Sequence, residues 1–266
     1  MTTLLCIIAH PDDETMLCGG TLTALAGRGL DIHVLCATRG EGGELGEPPV
    51  CTREELGRVR EAEMRCACRA LGVHQVTFLD YVDPLVGPDN GLSPFTKDED
   101  GLRDRLLDHM RRLRPSIVLT HGRDGEYGHP AHKLLHLATW AAFQQWLAMN
   151  PAAGPAASSS ERLAVSPAER LAADGRETSF YTIAAAIPGV KDRLLNDSEP
   201  ADLIFELERT PWLNAKEAAA LCHRTQHALF KRSKKAKTVR EVLRRYESLH
   251  RYWPPDGPDL PALTDE

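Results

Sequence analysis

Short apolar runs alternate with longer stretches of mixed polarity along the first half of the chain. The runs are rich in Ile, Val and Leu and have the length of strands buried on both faces, at residues 4–9, 32–38, 76–81 and 116–121. Helices are predicted at residues 14–26, from a capping box at 52–55 to Gly72, at 99–113 and from Pro130 onward. This alternation predicts a Rossmann-like, doubly wound α/β fold, with a mostly parallel sheet and helices on both faces.

The second half of the chain is less regular. Residues 150–177 are rich in Ala, Ser and Pro and are predicted to form a flexible insertion. Beyond it, strands are predicted at residues 180–187 and 202–207, and helices at residues 214–230 and 239–250. We therefore expect a single domain over residues 1–253, with the insertion at 150–177, and a Pro-rich tail at 254–266.

Composition limits the classes of partner. The 266 residues include 32 Lys and Arg against 38 Asp and Glu, and a net charge of −6 gives no general reason to expect nucleic acid or an anionic membrane as a partner. The basic stretch at 231–245 lacks interleaved aromatic residues, which favours a solvated helix face over a nucleic-acid site. No run approaches the roughly 20 apolar residues of a membrane span. Without the basic region of a signal peptide, we expect a cytoplasmic protein with its seven cysteines reduced.

Polar residues follow three of the predicted strands at the point where each strand ends. The first strand leads into HPDDE at residues 10–14, the second into TRGEGGE at 38–44, and the fourth into HGRDGEYGHPAH at 121–132. Ligands of an open parallel sheet bind just past the carboxyl ends of its strands, and strands one and four commonly flank the switch point. The first and third segments are therefore expected to face one crevice.

Three consecutive carboxylates, Asp12, Asp13 and Glu14, repel one another unless positive charge lies beside them. A catalytic zinc takes three protein ligands and keeps one position for water. His10, Asp13 and one histidine of the third segment would complete such a site, and a spare carboxylate could take a proton from the water. Capping of the following helix remains the alternative for Glu14 and partly for Asp12.

The segments AHPDDE, TRGEGG and GHPAH together resemble the motifs of the PIG-L/LmbE-like zinc-dependent de-N-acetylase family. The resemblance extends to RVREAEMRCACRALGV and KEAAALCHRTQ, so it spans most of the chain outside residues 150–177. It implies a hydrolase that removes the acetyl group from an N-acetylglucosamine (GlcNAc) unit of a small molecule, such as GlcNAc-malate, GlcNAc-inositol or a GlcNAc oligosaccharide. A thiol-conjugate amidase on the same scaffold and a sugar-binding member without catalysis are the alternatives.

The resemblance also implies roles for single residues. The metal ligands would be His10, Asp13 and His132. The ion would be Zn²⁺ or another divalent ion such as Fe²⁺, since this donor set tolerates several. Three residues would act in catalysis: Asp12 by activating the water, His129 by stabilising the oxyanion as an imidazolium, and Tyr127 near the reacting carbonyl.

Substrate contacts are implied for three further residues, Arg60, Arg39 and Asp83. Arg60 would bind sugar hydroxyls, the glycines after Arg39 would let the backbone approach a sugar, and Asp83 would reach the substrate or cap its loop. The family commonly reads GHPDH, and Ala131 replaces its aspartate, so a contact behind the site is expected to be lost.

The remaining histidines and acids are assigned less specific roles. Structural or surface positions are expected for His33, His74, His109 and His250. For His223, packing within its helix is slightly favoured over a side chain that faces the cleft. Two interpretations stay open for His121, a contact behind the site or strand-end packing, while Asp124 and Glu126 fit equally well as solvated loop acids. The expected partner is the amino-sugar substrate, and homo-oligomerisation is left open.

Overall fold

Seven strands form one sheet in the computed structural model, which describes residues 2–87, 89, 91–150, 178–183, 199–208, 211–255 and 260. The strands are β1 Thr3–Ile8, β2 Asp31–Thr38, β3 Gln75–Tyr81, β4 Ile117–Thr120, β5 Ser179–Ile183, β6 Leu203–Glu206 and β7 Tyr246–Trp253. They lie in the order β3-β2-β1-β4-β5-β7-β6. Pairing is parallel from β3 to β5, and β7 runs antiparallel to both its neighbours. The predicted fold class is confirmed.

Helices cover both faces of the sheet. Within the described ranges they are α1 Asp13–Met16, α2 Gly19–Gly27, α3 Leu56–Ala70, α4 Glu99–Leu113, α5 Gly125–Gly128, α6 Pro130–Met149, α7 Pro211–Cys222 and α8 His227–Lys234. Alternate residues of β1 face opposite layers: Cys6 packs in a core with α2, α3 and α7, and Ile7 in a core with α4 and α6. The central strands are therefore buried on both sides, as their continuous apolar runs predict.

The predicted helix at residues 239–250 is wrong, because this segment leads into β7. Residues Arg240–Val242 form a single 3₁₀ turn, and the strand then pairs on both sides. Leu249 lies opposite Ile183 of β5 and Leu203 of β6 and is buried. Hydrogen bonding to two neighbouring strands and the burial of Leu249 outweigh the helical spacing of the apolar residues.

Two other predicted helices are interrupted. The predicted helix at 14–26 is divided into α1 and α2. The start of α2 is fixed by Glu247, whose carboxylate accepts the backbone N–H groups of Gly20 and Thr21 at 2.9 and 2.7 Å. The predicted helix at 214–230 is divided at His223, whose ψ of 59° ends α7 before the 3₁₀ turn Arg224–Gln226 and α8. The contact of Glu247 with the start of α2 spans more than 200 residues and is not visible in the local sequence.

The predicted strands beyond the insertion are present as β5 and β6, and residues 184–187 of the first lie outside the described residues. The insertion predicted at 150–177 lies outside them as well, except for Asn150, which caps the end of α6. Most of the tail at 254–266 is likewise not described. The division into one domain with an insertion and a tail stays a prediction.

Cys66 of α3 and Cys222 at the end of α7 form a disulfide, with their Cα atoms 5.8 Å apart. The expectation that every cysteine is a reduced thiol is wrong for this pair, although Cys6, Cys18, Cys36, Cys51 and Cys68 are free. The two residues are 156 positions apart in sequence. Their proximity depends on α3 packing beside α7 in the same core, which the spacing of the cysteines does not reveal.

A buried ion pair ties β7 to the helix layer. Lys216 of α7 has no exposed side-chain surface and donates from Nζ to Glu247 Oε1, at 2.5 Å, and to the carbonyl of Met16, at 3.1 Å. Glu247 also accepts the N–H groups at the start of α2. The pair therefore joins β7, α7 and the break between α1 and α2.

Removing the cation of this pair should strongly destabilise the fold. Lys216→Met leaves the Glu247 carboxylate buried without its charged partner, which costs about 3–5 kcal/mol in free energy of unfolding. Urea denaturation followed by circular dichroism measures the change. Lys97→Met makes the same substitution at an exposed position and should leave the midpoint unchanged. Equal midpoints for the two variants would contradict a stabilising role for the pair.

Candidate active site

Three loops meet beyond the carboxyl ends of the adjacent strands β2, β1 and β4. His10 and the three acids lie in the loop after β1 and the start of α1, and His121 to His132 run from the loop after β4 through α5 to the first turn of α6. Because β1 and β4 pair in parallel, their ends bring His10 and His132 together, with the ring centroids 5.3 Å apart. The crevice predicted from the strand ends is present.

Three buried ligand atoms form a nearly equilateral triangle. His10 Nδ1 lies 3.3 Å from Asp13 Oδ2, His132 Nε2 lies 3.4 Å from the same oxygen, and the two nitrogens are 3.3 Å apart. Tetrahedral zinc with ligands at roughly 2.0–2.1 Å has edges of about 3.3–3.4 Å between ligand atoms. The predicted ligand set therefore has the spacing of one face of a tetrahedral metal site.

The charges around this triangle favour a cation at its centre. Burial raises the pKa of the Asp13 carboxyl, but the charge of His132 and the hydrogen bond from His10 outweigh burial and hold that pKa well below its usual range. Burial lowers the pKa of both imidazoles, yet neighbouring carboxylates raise it to about 9 for His10 and about 10 for His132. These carboxylates stabilise positive charge, which a divalent ion would supply in place of protons.

Carboxylates hold both ligand histidines from behind. His132 donates from Nδ1 to Glu126 Oε2, at 2.6 Å, and the Nε2 of His10 lies 3.4 Å from Asp83 Oδ1. A carboxylate on the second ring nitrogen fixes the orientation of a metal-binding histidine and increases its basicity. Each ligand histidine thus presents one nitrogen to the triangle and the other to an acid.

Glu126 is the centre of a buried network that the sequence did not indicate. Its Oε2 also accepts from His121 Nδ1, at 3.0 Å, and its Oε1 accepts from the N–H of Gly122, at 2.7 Å. Burial raises the pKa of Glu126, but its interactions with His121 and His132 outweigh burial and lower the pKa to about 2. The alternative of a solvated loop acid is wrong for Glu126, and also for the buried Asp124, which accepts the N–H of Glu126 at 2.8 Å.

His121 makes the contact behind the site that was one of its two interpretations. Its Nε2 accepts the N–H of Ala9, at 3.0 Å, so the ring is neutral with its proton on Nδ1, facing Glu126. The ring stacks on His132, with centroids 3.9 Å apart. Burial lowers the pKa of His121, in agreement with a neutral ring.

Asp12 is held beside the triangle by an unusual backbone conformation. Its φ of 121° is rare for a residue with a side chain, and the N–H of Asp12 donates to Glu14 Oε2, at 2.9 Å. Its Oδ2 lies 3.3 Å from Arg60 Nη2. Burial raises the pKa of Asp12 to about 6, although the charge of Arg60 opposes the shift. A carboxylate of this kind is suited to general-base chemistry near neutral pH.

Arg60 is buried and bonded within the protein. Besides Asp12, its guanidinium donates to the carbonyls of Pro11 and, at 2.9 Å, Gly40. A Cβ at Gly40 or at Gly43 would overlap the guanidinium, so these two glycines make room for Arg60. In the structure Arg60 is 3% exposed and contacts the Asp12 carboxylate, and its predicted contact with sugar hydroxyls stays a prediction.

His129 and Tyr127 lie on the open side of the triangle. His129 Nδ1 accepts the N–H of Ala131, at 3.2 Å, as the cap of α6, which leaves its proton on Nε2. Burial and the charge of His132 lower the pKa of His129 to about 3, so a neutral ring replaces the predicted imidazolium. The Tyr127 ring is 46% exposed and meets the His129 ring edge-on, with centroids 5.6 Å apart.

The third acid of the HPDDE segment has a partner from the far end of the chain. Glu14 Oε1 lies 2.7 Å from His223 Nε2, and both residues are completely buried. Burial lowers the pKa of His223, but the Glu14 charge outweighs it and raises that pKa. His223 therefore does more than pack within its helix. Its ring contacts the Glu14 carboxylate, which in turn accepts the backbone N–H of Asp12.

Comparison with known proteins places this arrangement in a family. The family model described as PIG-L, GlcNAc-PI de-N-acetylase, matches residues 5–143, just over half of the chain. A 1D-myo-inositol 2-acetamido-2-deoxy-α-D-glucopyranoside deacetylase of Thermobispora bispora is 30% identical over 244 residues, which is 84% of this chain and 78% of that protein. The chain belongs to the PIG-L family.

A protein of the same name from Rhodococcus jostii is 37% identical over 154 residues. The match spans about half of that relative, 53% of its length. Among solved structures, an N,N′-diacetylchitobiose deacetylase from Pyrococcus horikoshii has a TM-score of 0.56 at 19% identity, covering 94% of this chain and 83% of its own. A 4-carboxy-2-hydroxymuconate hydratase from Pseudomonas putida KT2440 has a TM-score of 0.59 at 22% sequence identity. The match covers 98% of this chain and 100% of the hydratase chain. These likenesses show the fold alone.

The other predicted substrate residues of this PIG-L protein have partners in the chain. Arg39 pairs with Glu61, at 2.5 Å, and with Asp80, at 2.6 Å. Asp83 faces His10. A substrate contact for either residue stays a prediction, but the structure gives Asp83 a positioning role as well.

Glu126→Gln should weaken metal binding without unfolding the protein. The amide retains an acceptor oxygen but loses the charge that orients His132, a change that typically costs about 10–100-fold in metal affinity. Asp83→Asn should reduce metal affinity less, because Asp83 lies farther from His10 than Glu126 does from His132. Competition with a chelator of known affinity measures the zinc dissociation constant.

Glu99→Gln, an exposed change in the first turn of α4, serves as the matched control and should bind zinc like the unmodified chain. Thermal unfolding of each variant without metal separates loss of affinity from loss of fold. Unchanged zinc affinity in a folded Glu126→Gln protein would show that Glu126 does not support the metal centre.

Proposed function

We propose that this PIG-L chain is a zinc-dependent hydrolase that removes the N-acetyl group from a GlcNAc-containing small molecule. The observation that carries the proposal is the triangle of His10, Asp13 and His132 atoms, 3.3–3.4 Å apart, with a separate carboxylate beside it. A hydrolytic metal site needs three protein ligands and a base. Membership in a family described as a de-N-acetylase supports this reaction.

His10, Asp13 and His132 would hold the ion, which when bound polarises the amide carbonyl and lowers the pKa of water. Asp12 takes the proton of the attacking water and later delivers it to the nitrogen of the leaving amine, so that the products are acetate and the free amino sugar. Arg60 holds the Asp12 carboxylate in place throughout.

His129 donates the proton on Nε2 as a hydrogen bond to the oxygen of the tetrahedral intermediate. Its position is fixed by the cap on α6 and by stacking on His132, with centroids 4.5 Å apart. Tyr127, exposed at the rim, is placed to contact the acetamide or the sugar. The chain thus supplies a base and an oxyanion donor on separate loops.

Zinc is the ion we propose, because two imidazole nitrogens and one carboxylate oxygen in a tetrahedral spacing suit it. Fe²⁺ accepts the same donors and remains the second candidate. GlcNAc-inositol is the substrate we propose to test first, because the matched proteins of Rhodococcus jostii and Thermobispora bispora are named for it. The thiol-conjugate amidase is retained because it would use the same metal and base.

The proposed partner is the amino-sugar substrate. In the basic stretch at 231–245, Arg232 pairs with Glu44 and Arg240 with Glu217, which supports a folded charged surface over a nucleic-acid site. Among the described residues, no helix combines the length and apolar character needed to cross a bilayer. A cytoplasmic location and a homo-oligomer remain predictions.

Asp12→Asn should abolish most of the activity and spare metal binding. The amide cannot accept the proton of the water, and loss of such a base lowers kcat by about 10²–10⁴-fold. Steady-state kinetics with a GlcNAc substrate and metal analysis of the same sample make the measurement. Asp100→Asn, an exposed change in α4, should leave both quantities unaltered. Full activity of the Asp12 variant would remove it from the mechanism.

The reaction class is tested by acetate release from GlcNAc and GlcNAc-inositol. Protein stripped of metal should release none, and one equivalent of zinc should restore release. A thiol-conjugate amide in the same panel tests the amidase alternative. Bound zinc without release of acetate from any GlcNAc substrate would overturn de-N-acetylation, and failure to bind zinc would overturn the metal centre itself.

A further inference from the structure

A second group of metal-ligating side chains lies far from the candidate active site. Asp31 and His33 are at the start of β2, and His74 immediately precedes β3. One ligand atom from each of the three residues lies within 4.8 Å of the others. The sequence interpretation of His33 and His74 as plain structural or surface residues did not foresee this cluster.

The sheet fixes the positions of the three residues. The N–H of Asp31 donates to the carbonyl of Thr2, at 3.0 Å, and the N–H of His74 donates to the carbonyl of Ile32, at 2.9 Å. Asp31 and His33, two positions apart on one strand, share a face of β2. The cluster is therefore built on rigid backbone, which limits the ordering that a ligand would require.

Both rings face the same carboxylate. His33 Nε2 lies 3.0 Å from Asp31 Oδ2, and His74 Nδ1 lies 2.5 Å from Asp31 Oδ1. The ring centroids are 5.3 Å apart with an interplanar angle of 39°. Small rotations of the carboxylate and the rings would turn all three ligand atoms toward one point between them.

Two side chains of the cluster are largely buried, and the third is open to solvent. The side chains of His33 and Asp31 are 15% and 20% exposed, whereas that of His74 is 69% exposed. Two imidazoles and one ionised carboxylate are ligands for zinc and similar divalent ions, and the exposed ring leaves an entry path.

The position of the cluster makes it independent of the candidate active site. Asp31 and Thr38 lie at opposite ends of β2, about 23 Å apart at roughly 3.3 Å per residue. The loops of the candidate active site follow the Thr38 end. No residue is shared, so loading at one site does not require the other.

We propose that Asp31, His33 and His74 form a second divalent-metal site, selective for ions that bind imidazole nitrogen. An ion bound there would link the edge strand β3 to β2. Among the described strands, β3 lies at the edge of the sheet and pairs with β2 alone. A metal bridge between the start of β2 and His74 would hold this edge in register. Magnesium, which prefers oxygen ligands, should not bind there.

The test is zinc stoichiometry. Protein stripped of metal, equilibrated with excess zinc and passed over a desalting column should retain two equivalents by mass spectrometry of the metal. His74→Ala should retain one, and zinc should raise its Tm less than that of the unmodified chain. Because the His74 side chain is mostly exposed, this variant is expected to fold.

His109→Ala removes a histidine elsewhere and should keep two equivalents, and His33→Gln should repeat the loss seen at His74. A single equivalent in the unmodified chain, or a second equivalent that persists in both cluster variants, would overturn the proposal. Neither result affects the proposed de-N-acetylation, because the deacetylase assay depends on His10, Asp13 and His132 alone for its metal.

Discussion

A buried carboxylate, Asp13, must be balanced by positive charge or hydrogen-bond donors, and the centre of the molecule is arranged around that requirement. Its Oδ2 accepts the N–H of His10, at 2.9 Å, and lies near three imidazoles. Two of these rings come from the loop after β4, more than a hundred residues away in sequence. Parallel pairing of β1 with β4 is therefore the structural condition on which the proposed metal centre depends.

Much of this could be predicted from sequence where the signal is local. Continuous apolar runs identified β1 to β4, and the HPDDE segment at a strand end predicted the cation site. The positions of Glu126 and His223 could not be predicted, because their roles arise from contacts across the fold. The same reason applies to β7, where pairing on both sides overrides a helical pattern of apolar residues.

Three acids in succession are tolerated because each has a different partner. Asp13 faces the histidines, Asp12 faces Arg60, and Glu14 faces His223. The positive φ of Asp12 separates its carboxylate from that of its neighbours, and the bond from its N–H to Glu14 holds that conformation. Backbone strain of this kind costs about 1–3 kcal/mol and persists where surrounding contacts impose it. In the proposed mechanism the two carboxylates have separate roles, Asp13 as a metal ligand and Asp12 as the base.

The fold does not determine the reaction, since a hydratase and a deacetylase share it with this chain. The proposed hydrolysis therefore depends on the metal donor set and on the residues that hold those donors in place. Ala131 takes the place of the family's usual aspartate and packs in the core with α4 and α6, where a carboxylate would have to be desolvated. His132 nevertheless has a carboxylate partner, because Glu126 reaches its Nδ1 from a backbone with φ of 59°. Ala131 thus extends the core, while Glu126 holds the ring of His132, a ligand of the proposed metal site.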